Sequence, residues 1–394
     1  MDKHIVVLGG GYSGLLCARR LAQQTRGHDL RITLVDNNPY FTERIRWHQI
    51  ASGQAIKNYH YAELVRGTSI TFVQGRVTQL LPNDNAVVLN ATTGDQTLTY
   101  DRLVYALGSH IDMDAVKGVR EHALSVSTYY STVQLQKRLA QAKKGEKVVI
   151  CGAGLTGIEL AFEVAETYPK LHISLLTRDT FGIGLSQKAT QHLRKQFAKH
   201  NIHLMENALI SEVSEQAIHI GDTSIPFDVC VWAGAFAVPS LPRDAQIAVN
   251  ANGQMIVDNR LRSLSHPTIH GIGDAASVDD AIKTPIRMGC KTAMPMGAHV
   301  ADEISTLLNN QPQRTYDYAY SPTLISLGRR DAVVQFVDPD GAPQERILTG
   351  WLAVQVKEWI CRGTIFMLYH PKWVVYTRHS KQVVQHRQQY ALNG

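Results

Sequence analysis

The 394-residue chain has no run of eighteen or more apolar residues, so no segment reads as a membrane-spanning helix. Its five cysteines (Cys17, Cys151, Cys230, Cys290 and Cys361) are scattered and never form a C-x-x-C clamp. That excludes a disulfide frame and a cysteine zinc site, and fits reduced thiols. The seventeen histidines offer no convincing helical H-x-x-x-H pair, and no metal is expected. The opening Met-Asp-Lys-His-Ile-Val-Val-Leu lacks a signal-peptide apolar region and cleavage site, so the expected location is cytoplasmic. Charged residues are 19% and hydrophobic residues 44%, which excludes a disordered or fibrous chain and predicts two or three domains.

Charge is unevenly placed. Residues 351–394 hold six basic residues (Lys357, Arg362, Lys372, Arg378, Lys381 and Arg387) against one acid, Glu358, a net +5 of the chain's +6. Trp351, Trp359 and Trp373, three of the five tryptophans, lie there too. A basic, aromatic tail on a near-neutral body points to surface docking and away from a nucleic-acid groove.

Two local patterns carry most of the information. His4–Leu8 is an apolar, β-branched run fit for a buried parallel strand, and Gly9-Gly-Gly11-Tyr12-Ser13-Gly14 follows at once. A helical stretch then opens, which is the setting that G-x-G-x-x-G requires. Gly9 permits the tight turn, Gly11 lets backbone approach a pyrophosphate, and Gly14 allows close helix–strand packing. A second strand, Arg31–Val35, ends in Asp36, an acid placed to accept hydrogen bonds from a ribose. The pattern recurs 143 residues later: strand Lys147–Ile150, loop Gly152-Ala-Gly154-Leu155-Thr156-Gly157, a helix, and strand His172–Leu176. Two dinucleotide-binding units in one chain point to two dinucleotides exchanging a hydride.

Around these motifs the sequence resembles the two-domain flavoproteins that include the pyridine nucleotide–disulfide reductases. Tyr100–Ser109, Asp228–Gly234 and Thr268–Asp274 match that pattern in order, and the resemblance covers about residues 1–335. It implies two three-layer, Rossmann-like α/β domains, one inserted in the other. FAD segments would be 1–115 and 241–312, the NAD(P) domain 116–240, and a C-terminal extension 313–394. It further implies FAD contacts at Asn37, Val77, Ala106, Gly108, Gly273, Asp274 and Met294, and NAD(P) contacts at Leu155, Thr156, Thr177 and Gly234. The disulfide reductases place a cysteine pair after the first acid, but Asn38–Gly53 contains none, so that branch is excluded. The cysteine-free chain is similar instead to type II NADH:quinone dehydrogenases and apoptosis-inducing-factor-like quinone reductases. It departs from the former in carrying Met294-Pro-Met-Gly297 where they have a glutamine-rich signature, which leaves fewer donors for a quinone.

Further residues are read from position. The second unit ends its strand in Thr177-Arg178 where an NADH enzyme carries an acid, favouring NADPH or dual use. Glu159, at the start of the second helix, is expected by resemblance to act near the nicotinamide. Arg44, Arg46 and His48 alternate, so an extended strand would put them on one face, toward the pyrophosphate or an anionic substrate. Strand-like runs near 322–328 and 331–337 predict a small sheet capping the flavin domain. Residues 351–373 predict an amphipathic helix with Leu352, Val356, Trp359, Ile360 and Phe366 at helical spacing, for membrane or homodimer contact. The expected function is an FAD-dependent oxidoreductase passing electrons from NADPH or NADH to a quinone-like or other small acceptor. Two rivals stand beside it: a biosynthetic flavoenzyme acting on one small molecule, and a non-catalytic redox-sensing flavoprotein.

Overall fold

The computed structural model describes residues 3–92, 94–278, 288–317, 320–338 and 341–376. Strand β1 (Lys3–Leu8) has no exposed side chain after Lys3, because helices cover both faces of its sheet. Helix α1 (Tyr12–Gln24) follows the first glycine loop, and β2 (Leu30–Asp36) lies parallel to β1 with Ile5 opposite Ile32. A short helix α2 (Trp47–Ala51) precedes the long strand β3 (Ile70–Leu81). The hairpin strands β4 (Ala86–Ala91) and β5 (Gly94–Thr99) come next, then β6 (Arg102–Tyr105) beside β1.

The chain then leaves this sheet and builds a second one. Strand β7 (Leu124–Ser125), helix α3 (Tyr129–Ala140), β8 (Lys147–Cys151), α4 (Leu155–Thr167), β9 (His172–Leu176), α5 (Gln187–Lys199), β10 (Ile202–Met205) and β11 (Val229–Trp232) form it. Its order is β7-β11-β8-β9-β10, parallel throughout. The chain returns to the first sheet through β12 (Ile269–Gly271), which completes the order β12-β6-β1-β2-β3-β4-β5. Helix α6 (Cys290–Leu308) packs along α1. The architecture is thus two Rossmann-like α/β domains, the second inserted into the first, each with its own apolar core.

Strands β13 (Thr323–Ser326), β14 (Ala332–Val337) and β15 (Pro343–Thr349) form a small antiparallel sheet, and α7 (Gly350–Tyr369) follows. This sheet does not cap the flavin-side domain as the sequence led us to expect. Ile325, Leu327 and Val333 join the core of the second domain, and the Gln335 and Glu345 side chains accept the backbone N–H groups of Ser186, Gln187 and Lys188 at the start of α5. Apolar burial and these caps fix it there.

Helix α7 turns the large apolar residues of its sequence pattern outward. Small residues face inward: Ala353 packs on Ala332 and Val334, and Cys361 and Thr364 are buried. Trp351, Leu352, Trp359 and Phe366 face outward, with Trp359 77% exposed. Among the described residues no helix is long and apolar enough to cross a membrane. Arg378, Lys381 and Arg387 lie outside the described residues.

Candidate functional site

The first glycine loop is built by close contact. A Cβ on Gly9, whose φ is +98°, would come 2.4 Å from the Ala106 carbonyl oxygen, and one on Gly14 would come 1.9 Å from the Gly9 oxygen. Ser13 is pressed from the other side, since Cβ atoms on Gly273 or Gly297 would strike it. Gly11 alone faces open space, and α1 starts with no side-chain cap and no acid in its first turn. Its free N–H groups and positive dipole end therefore await an anionic acceptor from outside the chain. Asp36 accepts the N–H groups of Gly10 (2.8 Å) and Asn38 (2.9 Å), one on each oxygen, and keeps lone pairs for further donors. Asn37 is exposed beside it, while Val77 is a core position on β3 opposite Leu89.

A polar chain runs on from the loop. Arg44 donates to the Ser109 carbonyl (2.7 Å), just after the turn at Gly108; the Ser109 hydroxyl donates to Asp274 (2.7 Å), which also accepts the Gly289 N–H (2.8 Å). Tyr12 is buried edge-on to Phe41, and Met294 is buried in α6. Uncapped helix amides, an acid at the strand end and an arginine near Asp274 are a donor and acceptor set that fits FAD.

The segment carrying Arg44, Arg46 and His48 is not an extended strand. Arg44–Arg46 is a 3-10 turn leading into α2, so the three side chains diverge. Arg46 uses its donors within the protein: Glu43 (3.0 Å), Gln49 (3.1 Å) and both oxygens of Glu358 on α7 (2.8 and 2.9 Å). The pairing of Arg46 with Glu43, three residues back, draws the chain into a turn, and Arg46 anchors α7 instead of facing a pyrophosphate.

The second loop repeats the geometry. A Cβ on Gly157 would come 1.9 Å from the Gly152 oxygen, and one on Gly152 would come 2.6 Å from the Gly234 nitrogen. Gly154 faces open space at the uncapped start of α4, where Leu155 is exposed and Thr156 half-buried. Thr177 is tied by its backbone to Met205 and Ala208 (both 2.9 Å). The Arg178 side chain is 73% exposed and meets its neighbour Asp179 at 3.3 Å.

Glu159 is buried where the two domains and the C-terminal segment meet. It pairs with Lys357 of α7, accepts the Ser326 N–H (3.0 Å), and lies 3.5 Å from His48 Nδ1. Burial pushes its carboxyl up, but Lys357 and His48 outweigh that and hold it below the ordinary glutamate value. Burial pulls His48 down to about 4, so its ring is neutral at pH 7, and Nε2 has no partner among the described residues. A cavity of about 220 Å³ opens beside the group, lined by Arg46, His48, Gln54, Ser326, Lys357 and Cys361. Lys357, Gln54 and Ser326 gave no sequence signal as site residues. Lys357 is 198 residues from Glu159, and the helical pattern marked it as merely polar. A lone lysine on the inward side of a helix otherwise facing its own domain with small residues is the only trace it leaves.

Comparison with known proteins agrees with this anatomy. The chain matches the family model described as pyridine nucleotide-disulphide oxidoreductase over residues 3–303. It is 24% identical over 280 residues to the NADH dehydrogenase-like protein YutJ of Bacillus subtilis, covering 71% of this chain and 78% of the relative. It is 22% identical over 402 residues to the type II NADH:quinone oxidoreductase of Staphylococcus haemolyticus, covering 93% and 96%. Among solved structures, the sulfide:quinone oxidoreductase of Aquifex aeolicus superposes with a TM-score of 0.80 at 22% identity, covering 94% of this chain and 92% of that one. With two glycine-loop domains, an inserted topology and a family match spanning both, the chain belongs to the pyridine nucleotide-disulphide oxidoreductase family, whose cofactors are FAD and NAD(P).

Proposed function

We propose that this oxidoreductase passes electrons from NAD(P)H through FAD to a quinone-like acceptor seated in the cavity beside Glu159, His48 and Lys357. The observation that carries this reading is the buried Glu159–Lys357 pair, whose lysine lines that cavity, between the two dinucleotide units. Bound FAD supplies two-electron exchange between nicotinamide and acceptor. Gly9–Gly14, Asp36, Arg44 and Asp274 would hold it, and Gly152–Gly157 with Gly234 would hold the nicotinamide dinucleotide. Lys357 and neutral His48 offer hydrogen bonds to an acceptor carbonyl, and Glu159 holds the Lys357 ammonium in place. These side chains stand in for the absent glutamine signature, whose positions here are filled by the buried Met294 and Met296. The type II NADH:quinone oxidoreductase among the relatives supports a quinone as acceptor.

Nicotinamide choice follows from the end of β9. Arg178 offers a cation to a 2′-phosphate and Asp179 an acceptor to a 2′-hydroxyl, so the reading is dual use. The outward tryptophans of α7, flanked by Arg362 and Lys372, suit peripheral docking on an anionic membrane surface. The functional test is an anaerobic acceptor panel. NAD(P)H should bleach the flavin, and a short-chain quinone should restore its colour with saturating kinetics. Bleaching without reoxidation by any quinone would overturn the acceptor assignment.

A further inference from the structure

Reduction of a quinone-like acceptor by NAD(P)H consumes one proton per turnover: NAD(P)H + H⁺ + A gives NAD(P)⁺ + AH₂. The proton has to reach a cavity lined by Lys357, whose side chain and that of its partner Glu159 are 13% and 12% exposed. Helix α4 carries two more acids on the Glu159 face, Glu163 at i+4 and Glu166 at i+7, and such spacing makes carboxylates neighbours. The β13–β14 hairpin separates two hollows. Gly328 lines the inner acceptor cavity, Leu327 lines an outer cleft of about 780 Å³, and Arg329 lines both. Glu166 and His200 lie in the outer cleft, 3.8 Å apart, and Glu166 accepts the Arg329 N–H at 2.7 Å.

Glu163 follows Glu159 by one helical turn and precedes Glu166 by three residues, and is 1% exposed. Its Oε2 accepts Gln54 (2.7 Å) and Ser52 (3.3 Å) from the flavin-side segment, with the Arg329 guanidinium at 3.8 Å. Its Oε1 is buried and has no hydrogen-bond partner among the described residues. A carboxyl serving only as a clamp would satisfy both oxygens, because a bare buried acceptor is costly. A protonated carboxyl instead presents an O–H at that position. We infer that Glu163 is a relay residue, taking protons from the outer cleft at Glu166 and His200 and handing them to Glu159 at the acceptor cavity.

The electrostatics agree. Burial raises the Glu163 carboxyl and the Glu166 charge adds to this, while Arg329 of the hairpin, Ser52 and Lys357 of α7 oppose it; the net displacement is upward from the ordinary glutamate value. Glu159, one turn away, is held low. A proton therefore moves from the cleft to Glu163 Oε1, then to Glu159, then to the acceptor oxygen as the electron pair arrives. The second hydrogen of AH₂ balances the one leaving the nicotinamide.

This inference rests on the quinone reading above, and the test separates the two. In the full-chain holoenzyme, E163Q keeps the volume and the Gln54 and Ser52 contacts but carries no proton. Its quinone turnover should fall about tenfold or more, with a raised solvent isotope effect and partial rescue by added formate. Anaerobic flavin bleaching by NAD(P)H, and turnover with ferricyanide, which takes up no proton, should stay within about twofold of the parent. E166Q, at the accessible mouth, should show the same signature more weakly and covers the case in which E163Q does not fold. Quinone turnover unchanged in E163Q, or equal losses with quinone and ferricyanide, would overturn the relay. A parent protein that bleaches yet reduces no quinone would remove the acceptor reading and the relay together.

Discussion

The two glycine loops share one geometry but not one environment. Around the first, Gly9, Gly10, Tyr12 and Ser13 are buried, and Gly273 and Gly297 press on Ser13. Gly11 and Gly154 are exposed alike, but in the second loop Leu155 is exposed, Thr156 is half-buried and Arg178 reaches into solvent. A walled cradle suits a dinucleotide that stays through many turnovers, and an open one suits a dinucleotide that must enter and leave each time. The same G-x-G-x-x-G thus serves a prosthetic group in one domain and a substrate in the other, and the difference lies in what packs on the loop.

That contrast can be broken in several ways. The largest effect should come from matched glycine substitutions, since Gly14→Ala and Gly157→Ala each place a Cβ 1.9 Å from a backbone oxygen. Each should cost about 3 kcal/mol or more locally. Gly14→Ala should purify without flavin, whereas Gly157→Ala should stay yellow and fail to bleach with NAD(P)H. Flavin loss in both, read by absorbance, would erase the distinction.

Acid should next act on the flavin-side domain. Burial depresses His270 to about 3 and His299 to about 4, and both ring nitrogens of each lack hydrogen-bond partners among the described residues. Unfolded histidines bind protons below about 6.5, so this stability is present above that pH and is lost as pH falls toward 4. The loss should be roughly 1–3 kcal/mol per pH unit over that window, seen as a falling melting temperature with flavin release. A melting temperature flat from pH 6.5 to 4 would contradict neutral burial.

Asp36→Ala should weaken FAD retention by about 1.5–3 kcal/mol, measured by flavin release on dilution, and leave the KM for NAD(P)H unchanged. Arg178→Ala should give the smallest effect because the site is exposed. At about 0.2–1 kcal/mol, the KM for NADPH should rise a few-fold at most and that for NADH less. Equal shifts for both would show that Arg178 does not distinguish them.

The fold was legible because its signals are local. Each strand, glycine loop and helix lies within some thirty residues, and period-2 and period-3.6 patterns do not depend on distant partners. The site was legible only on one side. Glu159 stands at a fixed offset from the second loop, but Lys357, Ser326 and Gln54 reach it through tertiary packing that no spacing encodes. The strand assigned to Arg44–His48 misled for the same reason: the alternation fits a strand, yet Glu43 and Glu358 hold Arg46 in a turn. In the C-terminal helix the large apolar residues were legible but the face that packs on its own domain was not: close approach to β14 selects Ala353 for it and leaves the tryptophans outside.

The most direct test of the resident-and-visitor contrast is the cofactor content of the purified chain after desalting, followed by anaerobic titration with NAD(P)H. The account predicts about one FAD per chain, no retained nicotinamide, and flavin bleaching that saturates as NAD(P)H is added. A desalted protein that keeps both dinucleotides, or that loses FAD as readily as nicotinamide, would contradict it.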